Sequence, residues 1–133
     1  KLGYNYRMPN LNAAIGCAQL EKIGKILKAK RRLFKKYKKE FFIFKELKLF
    51  EEPKNSHSNY WLNTVLVSKN HKNAKAQIIH YCNKRGVKVR PVWKLMHKIK
   101  YLSKYQRMDL SNSEDLEKRI INLPSGPNLI MNK

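Results

Sequence analysis

One helical pattern constrains this chain more than any other feature. From Leu11 onward, apolar residues recur at helical spacing: Leu11, Ala14, Ile15, Ala18, Ile23, Ile26, Leu27, Phe34, Tyr37 and Phe41. That period predicts one long amphipathic helix reaching about Lys39, because residues three and four apart share a face. Asn10 is placed to cap it, since an Asn side chain accepts from the free N–H groups of a first turn. Gly16 and Gly24 lie inside the run, and each costs about 1 kcal/mol relative to alanine. For Gly16, close packing against another backbone is one reason to tolerate that cost. The opposite face carries Lys22, Lys25, Lys28, Lys30, Arg31, Arg32, Lys35, Lys36, Lys38 and Lys39, which reads as a solvated basic face.

Beyond the helix the elements are shorter and more varied. Phe41 to Phe50 either continues the helix or turns into the next element, and Glu51-Glu52-Pro53 breaks it. Tyr60 to Val67, rich in aromatic and β-branched residues, reads as a buried strand. Asn73 to Arg85 reads as a second helix with Ala74, Ile78, Ile79 and Cys82 on one face and Gly86 just beyond its end. Val87 to Val92 reads as a second strand that Pro91 confines to an edge or terminates. Leu95 to Leu102 suggests a short helix, Ser111 with Glu114 a capping box for a helix over 112–119, and 123–127 a turn. The fold class expected is α/β, more closely an α+β lobe: a long helix followed by a small sheet covered by helices.

The charge balance bears on partners. Thirty Lys and Arg against nine Asp and Glu give a net charge of +21. Such an excess raises nucleic acid, a membrane surface or phosphorylated ligands as partners. The basic face lacks interleaved aromatic rings, which single-strand binders use for stacking, and this counts against nucleic acid. No apolar run is long enough to cross a membrane, no secretory signal is visible, and no membrane partner is expected. Cys17 and Cys82 make neither a disulfide framework nor a zinc site, which points to a reducing, cytoplasmic setting. Neither a Gly-rich phosphate loop nor metal-ligand spacing is present. His57, His71, His80 and His97 are scattered.

Two segments carry chemistry. In Gly3-Tyr4-Asn5-Tyr6-Arg7-Met8, an amide and a guanidinium stand before a helix N-terminus, equipment suited to an anion. The plain alternative is a loop whose tyrosines pack on a core. In Val89-Arg90-Pro91-Val92-Trp93, followed by Met96-His97, a strand end offers Trp93 as a flat apolar face and Arg90 as a phosphate partner for a sugar or nucleotide. The plain alternative there is an ordinary strand end.

The stretch from Gly3 to Glu21 resembles the G-x-N-x-R segment, with its following A-A and Q-L, of the DegT/DnrJ/EryC1/StrS aminotransferases. Ser58-Asn59-Tyr60-Trp61-Leu62, Gly86 to Trp93, Leu95-Met96-His97 and Leu123-Pro124-Ser125-Gly126 continue the resemblance in the family's order. The Arg90 to His97 stretch is most similar to the branch acting on nucleotide-activated 4-keto-6-deoxyhexoses, that of perosamine synthases and legionaminic-pathway enzymes. The resemblance implies the C-terminal part of a fold-type I aminotransferase, with residues 1–40 closing the large domain and 41–133 forming an incomplete small domain. It implies pyridoxal 5'-phosphate as cofactor, glutamate as amino donor, a nucleotide-sugar substrate for surface glycans, and a homodimer. It assigns Asn5 and Arg7 to the cofactor side, and Tyr6, Arg90, Trp93 and His97 to the substrate side, with Tyr4 packing nearby. It places the Schiff-base lysine upstream of Lys1, so no catalytic residue is assigned here. A fragment inactive by itself is therefore expected. The alternatives are a basic nucleic-acid-binding module and a non-catalytic truncated remnant.

Overall fold

The computed structural model describes residues 3–71 and 73–131. Helix α1 runs Asn10–Phe41, 32 residues, or about 48 Å at 1.5 Å per residue. Its sequence is dense in Lys, Leu, Ala and Ile, mostly strong helix formers. Pro9, not Asn10, occupies the N-cap position, and no side chain caps the first turn. Asn10 is already helical, because the proline ring holds φ at −60° with an extended ψ of 148° and so fixes where the chain turns into the helix. Gly16 has no neighbouring atom within 4 Å of the place a Cβ would take. The close backbone expected there does not come from the described residues.

Four strands follow: β1 (Leu47–Leu49), β2 (Asn63–Val67), β3 (Arg90–Pro91) and β4 (Ile120–Leu123). They form one antiparallel sheet in the order β1-β2-β4-β3. Between them lie α2 (Ala74–Lys84), α3 (Ser111–Arg119) and, after β4, the single turn α4 (Asn128–Met131). Register places Leu49, Val65 and Ile121 side by side on one sheet face. The core there has two adjoining parts. Phe34, Leu49, Tyr60 and Val65 pack with Tyr37 and Phe41 of α1. Val67, Val89 and Ile121 pack with Ala74, Ile78, Ile79 and Cys82 of α2. Gly86, at φ +78°, turns the chain out of α2, a conformation that glycine adopts without strain.

Several elements differ from the sequence reading. The strand expected from Tyr60 begins at Asn63, because Tyr60 adopts a left-handed φ of +46°. The expected 87–92 strand pairs only over Arg90–Pro91. The 95–102 helix is a 3-10 turn over Met96–Lys98 followed by irregular turns. The capping box at α3 does not form: Ser111 Oγ donates to Asp109 Oδ2 at 2.7 Å, and Glu114 meets His97.

Part of the basic face of α1 is joined to the sheet region. Arg31 donates a fork to Glu52, both bonds 3.0 Å, and a third bond to the Ser58 carbonyl. Ser58 N donates to the same carboxylate at 2.6 Å. These donors pull the Glu52 carboxyl down to about 2. Lys30 Nζ donates to the carbonyls of Tyr60 (3.2 Å), Trp61 (3.3 Å) and Ser125 (2.6 Å). Desolvation lowers its pKa. At the far end of β2, Arg119 Nη1 donates to the Val67 carbonyl at 2.9 Å while Asp115 holds its Nε at 3.0 Å.

Candidate functional site

The strand alternation that buries Val89 turns Lys88 and Arg90 to the opposite side of the sheet. Asn122 faces Arg90 across the β3–β4 register. Asn122 Oδ1 in turn accepts from Thr64 Oγ1 at 3.1 Å, giving a polar row across the outer face. Beside it opens a cleft of about 360 Å³ that takes in Lys88, Arg90, Trp93, Asn122, Ser125 and Asn128. That volume lies within the range of small-molecule sites. Its lining holds two cations and no carboxylate, so an anionic ligand meets attraction without opposing charge.

The wall beyond Trp93 is a second indole. Trp61 and Trp93 lie with ring centroids 5.7 Å apart and planes inclined by 35°. Tyr60 points the other way, into the core, where it stacks on Phe34 at 4.1 Å. A positive φ at a bulky residue is strained backbone, which persists where surrounding contacts over-determine it. Here Asn59 Oδ1 accepts from Trp61 N at 2.9 Å, Ser58 Oγ accepts from Tyr60 N at 3.0 Å, and Lys30 takes both carbonyls. The cleft's other lip is the turn after β4. Ser125 Oγ accepts from Asn63 N (2.7 Å) and Asn63 Nδ2 (3.2 Å) and donates to the Leu123 carbonyl (2.8 Å). Asn63 Oδ1 is buried without a partner among the described residues.

The structure thus brings Arg90 and Trp93 together and adds Trp61, Lys88, Asn122 and Ser125 to them. Sequence reasoning gave these four no role. The signals were the in–out switch at Tyr60-Trp61 and the i, i+2 pairing of Lys88 with Arg90. His97 lies outside the cleft and borders another cavity, of about 490 Å³. Its Nε2–H donates to Glu114 Oε1 at 2.8 Å, a partner 17 residues away. A larger, shallow groove of about 1180 Å³ runs beside α2 and takes in no sequence-predicted site residue. The N-terminal pair is separate again. Arg7 Nε donates to Asn5 Oδ1 at 3.1 Å. Tyr4 and Tyr6, ring centroids 6.0 Å apart, are almost fully exposed, so the loop does not pack its tyrosines on this core. The Asn5 amide nitrogen and the Arg7 terminal nitrogens have no partner among the described residues. They stand before a helix end with neither a side-chain cap nor an acidic residue in its first turn. Such donors fit a phosphate.

With this geometry in view, the chain belongs to the DegT/DnrJ/EryC1/StrS aminotransferase family, whose model matches residues 1–133. Among curated relatives, the GDP-perosamine synthase of Vibrio cholerae is 33% identical over 131 residues, covering 96% of this chain and 35% of the relative. The chain thus spans about a third of the length of the relatives it matches. The fold recurs in Helicobacter pylori PseC, an aminotransferase involved in the biosynthesis of pseudoaminic acid (TM-score 0.87, 21% identity, 99% of this chain and 36% of that one). It recurs in E. coli GDP-4-keto-6-deoxy-D-mannose-3-dehydratase with bound hydrated PLP (TM-score 0.82, 20% identity, 94% and 33%). The α+β lobe read from the sequence is therefore a piece of the fold these enzymes share. Among the described residues no helix is long and apolar enough to cross a membrane.

Proposed function

We propose that this chain is the C-terminal portion of a cytoplasmic, pyridoxal-phosphate-dependent aminotransferase that passes an amino group from glutamate to a nucleotide-activated 4-keto-6-deoxyhexose for surface glycans. The observation that carries the reading is the family match over all 133 residues joined to a cleft that gathers Arg90 and Trp93. Residues 1–40 close the large domain and residues 41–133 form the small domain of a homodimer. The cofactor, when bound, supplies an electron sink for amino transfer.

Each residue has a task within that reading. Asn5 and Arg7 hold the cofactor phosphate, the amide and guanidinium donating beside the positive end of α1. Tyr6 borders the same loop on the substrate side. Arg90 takes anionic charge of the substrate, and Trp93 offers its ring face. His97 stands on the substrate side, with Glu114 holding its ring in the segment after Trp93.

The test is to set residues 1–133 in place of the matching third of the Vibrio cholerae GDP-perosamine synthase. The expected result is glutamate-dependent amination of the keto-sugar, with Arg7→Ala weakening retention of the cofactor and Arg90→Ala raising KM for the sugar nucleotide. A folded, cofactor-loaded chimera that aminates no nucleotide-sugar refutes the reading.

A further inference from the structure

Trp93 stands in the cleft with 65% of its surface exposed, and the ring beside it, Trp61, is 66% exposed. Burial therefore fixes neither ring, and the place of Trp93 depends on the backbone that carries it. On one side that backbone is fixed by the pairing of Arg90–Pro91 with β4. On the other side it is caught at Leu95, whose N–H donates to Glu117 Oε1 at 3.3 Å. Glu117 Oε2 accepts from Lys98 Nζ in the same segment. The backbone of Glu117 is itself anchored, because its carbonyl accepts from Lys75 Nζ of α2. The side chains of Glu117 and Lys98 are only 17% and 33% exposed, so water screens this pair less than an open surface pair. The Lys98 bond holds the Glu117 carboxyl below its usual range, and an ionised carboxylate only accepts. The chain has nine Asp and Glu. Two of them, Glu114 and Glu117, lie on one face of α3 and both reach into residues 95–98.

We propose that Glu117 is a positioning residue for the sugar-nucleotide side of the reaction: by holding Leu95 N and Lys98 it sets where Trp93 stands in the cleft. The proposal rests on the nucleotide-sugar reading above and adds to it a residue outside the cleft lining. Glu117 touches no ligand and acts through the chain between Leu95 and Trp93. Its effect is one-sided. Glutamate has no ring for Trp93 to face, so loosening this segment weakens use of the sugar nucleotide and spares the glutamate half-reaction.

The test uses the cofactor-loaded chimera described above, with amide hydrogen exchange read beside the kinetics. Glu117→Ala is expected to speed exchange in peptides covering 92–98 and to leave the rest of the chimera protected. It is expected to raise KM for the sugar nucleotide about tenfold, below the hundredfold that a misplacement near 1 Å can cost. The rate of the glutamate half-reaction stays unchanged. Glu117→Gln keeps an acceptor for Leu95 N and is expected to recover most of the protection and most of the KM. Unchanged exchange at 92–98 in Glu117→Ala overturns the proposal, and so does faster exchange with an unchanged KM. Equal losses in both half-reactions, or loss of cofactor, show a merely structural role and overturn it too. In each of these cases the parent chimera still aminates its sugar, and the nucleotide-sugar reading stands. A folded, loaded parent that aminates no sugar overturns that reading, and the positioning role with it.

Discussion

The two halves of α1 carry the same apolar period and meet opposite fates. In the second half, Ala29, Leu33 and Phe34 are buried, and Lys30, Arg31 and Tyr37 bond to the sheet region. In the first half, Leu11, Ile15, Leu20 and Ile23 stay exposed, Leu20 by 68%. An amphipathic stripe encodes a demand for cover and says nothing about where the cover comes from. Among the described residues, only the second half finds its cover.

The largest expected effect tests that contrast directly. Phe34→Ala removes the stack on Tyr60 and opens the core, costing about 3–5 kcal/mol. Leu20→Ala, on the same helix, changes stability by less than about 0.5 kcal/mol. Urea unfolding of both variants checks the pair. A comparable cost at Leu20 would mean that the first half is covered in solution and the contrast is false.

The second test is pH. Glu52 anchors the packed half through Arg31, and its carboxyl sits at about 2 against an ordinary 4.5. A depressed acid contributes stability in full above its unfolded value, and loses it as pH falls through the folded one. Thermal midpoints of the parent chain are therefore expected to fall from about pH 4.5 toward pH 2 more steeply than those of Glu52→Gln. Parallel curves would show that the Arg31–Glu52 fork does not tie the helix down.

How much of the molecule is legible in its sequence depends on the range of each interaction. Helices α1 and α2, with Gly86, are readable because their signals repeat or stand within a turn of the feature they mark. Strands β1 and β4 are not. Each has three or four residues and becomes a strand only by pairing with strands that lie some distance along the chain, β1 with β2 and β4 with β2 and β3. The capping box fails for a related reason: Glu114 finds His97, and no local pattern announces a partner from another segment. At the site, Arg90 and Trp93 are readable as residue types, whereas Trp61 joins them only through the fold. Asn5 and Arg7 rest on a motif, and their mutual bond is as local as the motif itself.

Two smaller effects sharpen the contrast. Tyr37 donates its hydroxyl to the Pro124 carbonyl at 2.9 Å. Tyr37→Phe is expected to cost about 1 kcal/mol by chemical denaturation, and a neutral result would mean water replaces that bond. Gly24 has open space where a Cβ would go. Gly24→Ala should raise stability by about 1 kcal/mol, seen as a higher thermal midpoint. A loss there would reveal a close neighbour on the exposed half.

The three carbonyls gathered by Lys30 have a mechanical consequence. They join the long helix at one point to both lips of the cleft, the Tyr60-Trp61 bend and the Ser125 turn. From Lys30 to the start of α1 is a stiff arm of about 30 Å, so a tilt of only about 3° corresponds to a displacement of about 1.5 Å at its tip. Conversely, whatever grips the exposed end of the helix holds a long crank against a short one. A modest movement of that end is therefore a far smaller one at Lys30 and at the two lips it bonds.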